Sequence, residues 1–292
     1  EARRPAPRRP KRDRVDVNGS PARHTTLSTR NEPAAGPPTF ALTDEGLSCR
    51  VSGLTTWRVD AVACRDPAGR WSSLTVSGLT GAPAKDTASV DLPLVFDNGL
   101  DGRLRIEGGA AGATLDMRVP GAAWCGIDLA ADEDEHYLGF GERFNRVDQR
   151  GNEVQVHVAN AASGAKAYKP VPFFISSKGY GVHVATDRRL TARMAVPDAP
   201  ATTSLRAAGP GLALRFYHGD PRTVLSAYTA DAGRPPLPPA WVFGPWKSRD
   251  WTVEDQRTVL EDVRAARRHD LACSVKLIDA KWETAEHTFE FD

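Results

Sequence analysis

The chain has 292 residues, 38 Lys plus Arg against 37 Asp plus Glu, and 40% hydrophobic residues. That balance describes a folded protein of about two domains and excludes a globally basic nucleic-acid binder. No apolar run approaches the roughly 18 residues that would cross a bilayer, so no membrane partner is expected.

Residues 1–35 stand apart. Arg3, Arg4, Arg8, Arg9, Lys11, Arg12 and Arg14 crowd among Pro5, Pro7 and Pro10 with almost no large apolar side chain, so a disordered basic leader is expected there. No apolar segment of signal-peptide length follows those arginines, which leans to the cytoplasm, but Glu1 in place of an initiator methionine suggests an incomplete or processed start and leaves the compartment open.

Residues 36–219 alternate apolar and polar side chains in short runs separated by Gly, Pro, Asp and Asn. The clearest strands are Leu104–Ile106, Thr114–Val119, Val154–Val158, Pro172–Ser176, Gly181–Ala185 and Leu212–Tyr217, with Gly179 supplying a tight turn between two of them. The segment reads as a large antiparallel β-sandwich. Cys49, Cys64, Cys125 and Cys273 lack zinc-site spacing, and no metal is expected. Isolated buried thiols are the commoner reading for such a scaffold, although Cys49 and Cys64 could pair in an exported protein.

After Gly219 the pattern changes. Residues 220–240 read as a short helix opened by Pro221 and a stiff connector built on Pro235, Pro236, Pro238 and Pro239. Residues 241–292 then read as strand, helix and strand: a buried strand from Trp241 to Trp246, a helix capped by Thr252 that runs to about His269, and a second buried strand from Ser274 to Ile278. Val259, Val263 and Ala266 give the helix one apolar face, with Glu254, Asp255, Glu261, Arg264, Arg267 and Arg268 on the other. So long a crossover implies a parallel pair, the first β-α-β of a (β/α)₈ barrel that needs on the order of 250 residues to close. The second domain is therefore expected to be truncated.

These blocks carry a resemblance. Tyr137-Leu138-Gly139-Phe140-Gly141-Glu142-Arg143-Phe144, Asp148-Gln149-Arg150-Gly151 and Pro170 through Val182 resemble the N-terminal domain of glycoside hydrolase family 31, the α-glucosidase and α-xylosidase family, whose sandwich is of the galactose-mutarotase kind. Gly233 through Trp241, Gly244 through Arg249, and Lys276 through Trp282 are similar to that family's entry into its barrel.

The resemblance implies retaining hydrolysis of α-linked sugars by two aspartates about 5 Å apart, without metal or organic cofactor. Both aspartates belong to later barrel strands, so no catalytic residue is assigned here and residues 1–292 alone are expected to be inactive. An α-linked oligosaccharide or glycoside is the implied partner, and oligomerisation would run through the further domains. Substrate-contacting candidates are Asp279, Trp282, Arg249, Asp250 and Trp251. Asp279 either accepts sugar hydroxyl protons or caps the following loop. Trp282 either stacks on a sugar face or packs beside the strand. Arg249, Asp250 and Trp251 follow the first strand, where the family's commoner tyrosine-rich turn is replaced by Asp250-Trp251; direct binding and a surface salt bridge with a packing tryptophan are both open. The 160–169 loop, with Asn160, Lys166 and Tyr168, corresponds to a loop that narrows the family's leaving-group side, or to a plain surface hairpin. Gly139, Gly141 and Glu142 read as a structural turn with a pairing carboxylate, and His136, His157 and His183 as solvent-facing or intersheet histidines. A non-catalytic carbohydrate-binding or interaction protein is the alternative.

Overall fold

The computed structural model describes residues 36–52, 54–79, 87–110, 112–159, 167–250, 254–279, 282–285 and 288–291. The basic leader, Thr252 and most of the 160–169 loop lie outside them. Chain contacts divide the protein into two bodies, Glu1–Pro221 and Arg222–Asp292.

The first body holds two antiparallel sheets. One runs, in spatial order, Thr39–Thr43, Gly46–Val51, Leu54–Arg65, Trp124–Ala130, Thr202–Ala208, Leu190–Met194 and Glu153–Val156, with Trp71–Thr75 added beside Leu54–Arg65. The other runs Ser89–Val95, Asp101–Gly109, Gly112–Arg118, Gly211–His218, Tyr180–Val184, Pro170–Ser176 and Tyr137–Gly141. Period-2 patterning explains the layers: in Ser89–Val95, Val90, Leu92 and Leu94 are buried while Ser89, Asp91, Pro93 and Val95 face solvent. Pro93, which cannot donate to a ladder, sits on the edge strand, where that loss is tolerated. Between the sheets lies one core including Phe40, Leu47, Val62, Leu104, Ile106, Met117, Ile127, Phe174, Val182 and Leu214. Each such side chain contributes roughly 1.5–3 kcal/mol by leaving water. Trp57 of one sheet stacks on Phe216 of the other, 3.9 Å between centroids and 17° between planes.

Trp57 Nε1 also donates to His218 Nε2 at 3.0 Å, and Cys49 Sγ lies 3.8 Å from the same nitrogen. Burial pushes His218 down to about 4, so the ring is neutral at pH 7. All four cysteines are free; Cys64 faces Cys125 across neighbouring strands rather than Cys49.

Glycines are placed where backbones nearly touch. Gly179 turns the Pro170–Val184 hairpin at φ +82°, and at Gly139, φ +144°, a Cβ would come 2.5 Å from the Phe173 carbonyl oxygen. Phe140 between Gly139 and Gly141 is itself left-handed at φ +66° and fully buried, stacking on Phe174 where the pairing register shifts. This Gly-Phe-Gly run is therefore a structural splice in an edge strand, and Glu142 after it is exposed. The expected strand through Val158 stops at Val156. Val156 pairs with Leu190, the first residue of its neighbour, so Val158 has lost that partner and is exposed.

Beside the core, Glu135 is buried and its carboxylate accepts Ser176 Oγ at 2.5 Å, Tyr180 OH at 2.6 Å and the Asp132 N–H at 3.1 Å. A buried carboxylate is tolerated because its lone pairs are filled in this way.

The second body continues the helix Pro221–Ala232, opened by Pro221 as expected, into the proline connector. The expected buried strand from Trp241 to Trp246 is replaced by a 3₁₀ turn, Ala240–Phe243, and a two-residue strand, Trp246–Lys247. Local bonds from Val242 N–H to the Pro239 carbonyl and from Gly244 N–H to the Trp241 carbonyl close the turn, Pro245 has no N–H for a ladder, and Trp241 and Phe243 are exposed. The helix Gln256–Arg268 is capped by Asp255, whose Oδ1 accepts the Thr258 N–H at 2.7 Å. The last strand is Val275–Lys276, shorter than expected, with Leu277 and Ile278 exposed beyond it. Its pairing with Trp246–Lys247 is parallel, Trp246 opposite Val275 and Lys247 opposite Lys276. Among the described residues no helix is long and apolar enough to cross a membrane.

Candidate functional site

A parallel strand–helix–strand brings the residues that follow its two strands to one side, the carboxyl end of the sheet. In this chain those residues are Ser248-Arg249-Asp250 and Leu277-Ile278-Asp279. Asp250 is left-handed at φ +55°, its N–H donating to Ser248 Oγ at 3.0 Å, and its side chain is exposed. Asp279 is half-buried three residues after Lys276. Trp251 lies outside the described residues.

Arg249 is engaged from below. It donates to both oxygens of Asp262 on the helix, Nε to Oδ2 at 2.9 Å and Nη2 to Oδ1 at 2.7 Å, and lies 3.4 Å from Glu254. Lys276 completes the group, donating to Glu254 at 2.5 Å and to Asp262 at 3.1 Å. The Glu254 side chain is 1% exposed and that of Lys276 8%. Arg249 first and Lys276 second hold the Asp262 carboxyl far below the usual carboxylate range. Burial alone would push Lys276 down; its bonds to Glu254 and Asp262 outweigh that and raise it. The four charges pin the segment after the first strand to the helix and to the second strand.

Helical periodicity puts Glu254 on the exposed face, whereas the fold buries it beside Asp262 and Lys276, two residues not among the sequence-based candidates. Asp262 was legible in principle, because it falls between Val259 and Val263 inside the apolar stripe, and Lys276 interrupts an apolar strand; a charge in such a place calls for a buried partner. Trp282 is engaged elsewhere, its ring centroid 5.1 Å from that of Phe291 and 6.4 Å from that of Phe289. Arg249 and Trp282 thus belong to separate clusters.

In the sandwich, His136 Nδ1 sits 2.7 Å from Asp148 Oδ2, His157 is exposed and His183 half-buried. Tyr168 is exposed, whereas Asn160 and Lys166 lie outside the described residues. Among the described residues no group of three or more His, Cys, Asp or Glu side chains is placed to hold a metal ion.

Residues 101–191 match the glycosyl hydrolase 31 N-terminal galactose mutarotase-like domain, and residues 235–292 match the glycosyl hydrolases family 31 TIM-barrel domain. The chain belongs to glycoside hydrolase family 31. Among family 31 relatives, it is 32% identical over 160 residues to an alpha-xylosidase of Lactiplantibacillus pentosus, covering 53% of this chain and 21% of that protein. It is 32% identical over 166 residues to a 1,3-alpha-isomaltosidase of Kribbella flavida, covering 50% and 21%. The chain thus spans about a fifth of the length of these relatives. Of solved structures, a family 31 sulfoquinovosidase from E. rectale superposes with TM-score 0.57 at 13% identity, over 83% of this chain and 41% of that one. A Flavobacterium johnsoniae family 31 dextranase gives 0.54 at 14%, over 87% and 34%. At those identities the likeness is one of fold: a β-sandwich followed by the start of the family 31 barrel.

Proposed function

We propose that this chain supplies the N-terminal β-sandwich (residues 36–219), the connector (220–240) and the first strand–helix–strand (241–292) of a retaining α-glycosidase that hydrolyses O-glycosyl bonds of α-linked sugars. The observation that carries the reading is the parallel register of Trp246–Lys247 with Val275–Lys276, which sets Asp250 and Asp279 after neighbouring strands at the end where such barrels gather functional side chains. An α-glucoside is the favoured substrate, an α-xyloside or α-galactoside next; relatives named for isomaltose linkages and for xylosides support that class.

In this reading the nucleophile and the acid/base aspartate come from later barrel strands, and Asp279 binds rather than reacts. Its carboxylate accepts protons from hydroxyls of the sugar whose bond is cleaved and favours the positive charge that grows on the ring. Asp250 and Trp251 shape the pocket wall, and the ion-paired Arg249 holds that wall in place. Trp282, three residues after Asp279 and packed with Phe289 and Phe291, stacks on a sugar face.

The test is kinetic. In the intact enzyme, Asp279→Asn is expected to lower kcat/KM for an aryl α-glycoside at least about 10²-fold, roughly 2.7 kcal/mol, while residues 1–292 alone release no aglycone. An unchanged kcat/KM removes Asp279 from the site, and turnover by residues 1–292 refutes the assignment of both catalytic carboxylates to later strands.

A further inference from the structure

The outer face of the eight-stranded sheet carries an aromatic ring framed by fixed polar groups, on the body that does not hold Asp279. Trp71 opens the edge strand Trp71–Thr75 and is 48% exposed. The Arg206 guanidinium lies 5.8 Å from its ring centroid. Arg206 gets there by lying flat over Gly126, where a Cβ would come 2.2 Å from its Cδ, so the glycine leaves room for that posture. Nη1 donates to the Ile127 carbonyl at 2.8 Å and Nη2 to Asp128 Oδ1 at 2.7 Å, and Ser204 Oγ donates to the same oxygen at 2.6 Å. Asp128 Oδ2 makes no hydrogen bond among the described residues. In register beside Trp71 come Arg65 and then Trp124, which is half-buried on the same face.

Three properties decide what such a surface takes. Arg206 and Asp128 cancel, and Arg65, bonded to the Gly69 carbonyl, adds a single positive charge in register beside Trp71, which is too little basic surface for nucleic acid or an anionic lipid. Its exposed apolar part is one indole with a polar rim, far below the roughly 800 Å² per partner of a stable protein interface. The frame is also rigid: the side chains of Arg206 and Asp128 are only 21% and 18% exposed. An exposed flat ring, with a guanidinium 5.8 Å from its centroid that is itself bonded to a carboxylate, suits a neutral ligand with an apolar face and a hydroxyl edge, the two sides of a pyranose.

We propose that Trp71, Arg206 and Asp128, all on the sandwich body, form a second carbohydrate-binding site that holds a pyranose unit of a neutral glycan. Only the choice of an α-linked glycan rests on the glycosidase reading. Trp71 stacks on the sugar's C–H face while Asp128 Oδ2 accepts a hydroxyl proton. The contact is shallow and open to water, so affinity for one short oligosaccharide is expected near the millimolar range, on the order of 4 kcal/mol.

The experiment is calorimetric titration of the full 292-residue chain with isomaltotriose, maltotriose and, as a β-linked probe, cellotriose. Expected is weak binding of an α-linked trisaccharide that falls at least tenfold in Trp71→Ala and recovers in Trp71→Phe. Circular dichroism matching the parent checks that Trp71→Ala, at an exposed position, still folds. Binding that survives Trp71→Ala, or binding of none of the three sugars, overturns the proposal. Loss of binding in Asp279→Asn but not in Trp71→Ala also overturns it, and leaves the barrel reading standing. Trp71-dependent binding of cellotriose alone supports the site while counting against the α-linked class.

Discussion

Acidification is expected to weaken the sandwich through His218 before its surface carboxylates titrate. The ring is neutral in the fold because burial lowers it from 6.5 to about 4, and because Nε2 already accepts the Trp57 indole N–H. A group lowered in the folded state contributes stability above its unfolded value, and that stability is lost as pH falls from 6.5 toward 4, where the unfolded chain takes up the proton and the folded one resists. Between pH 7 and pH 4.5 the difference amounts to about 2.5 kcal/mol, from 1.36 kcal/mol for each pKa unit. For a body of this size that lowers Tm by about 5–10 °C. Asp66 and Asp148 are lowered from 3.8, by a bond from the Arg70 N–H and by bonds from Arg150, His136 and Tyr137 against the opposing pull of burial; their losses therefore fall at more acid pH. The assay is thermal unfolding at pH 7, 6, 5 and 4.5 for the parent and for His218→Gln, which keeps an acceptor for Trp57 and cannot take a proton. The parent should lose the extra 5–10 °C and the variant should not. Equal pH slopes in the two proteins would refute the reasoning.

Two further outcomes rest on backbone and charge. Gly139→Ala forces a left-handed alanine and a Cβ 2.5 Å from the Phe173 carbonyl, and is expected to cost about 2–4 kcal/mol in chemical denaturation, whereas Gly151→Ala, with open space around it, costs only its backbone strain. Lys276→Met leaves Glu254 buried without its closest cation, and amide exchange across Gln256–Arg268 should quicken at least about tenfold, with Lys276→Arg restoring much of the protection.

The sandwich was legible because its strands are amphipathic: alternation at Leu104–Ile106 or Leu212–Tyr217 leaves one face to bury, and the burial follows. The second body was legible in kind and less so in extent. The apolar run from Trp241 to Trp246 reads as a strand by composition, but Pro239, Gly244 and Pro245 decide the backbone locally and bend it into a 3₁₀ turn. The pairing within the Arg249–Asp262–Lys276–Glu254 group, unlike the misplaced charges themselves, was hidden for a different reason. Its members are far apart in sequence, and only the parallel register brings Lys276 beneath the helix that carries Asp262. Glu135 escaped likewise, since nothing around it in sequence announces that Ser176 and Tyr180 will surround it.

That last arrangement bears on how strand pairing is chosen. Ser176 and Tyr180 are opposite one another across the Gly179 turn, and both hydroxyls converge on one Glu135 oxygen. Sliding the hairpin by a single residue would turn both hydroxyls to the other side of the sheet and abandon a charge in the interior. The carboxylate thus acts as an alignment key: apolar side chains alone would accept several near-equivalent pairings at this end of the sheet, and the acid admits one.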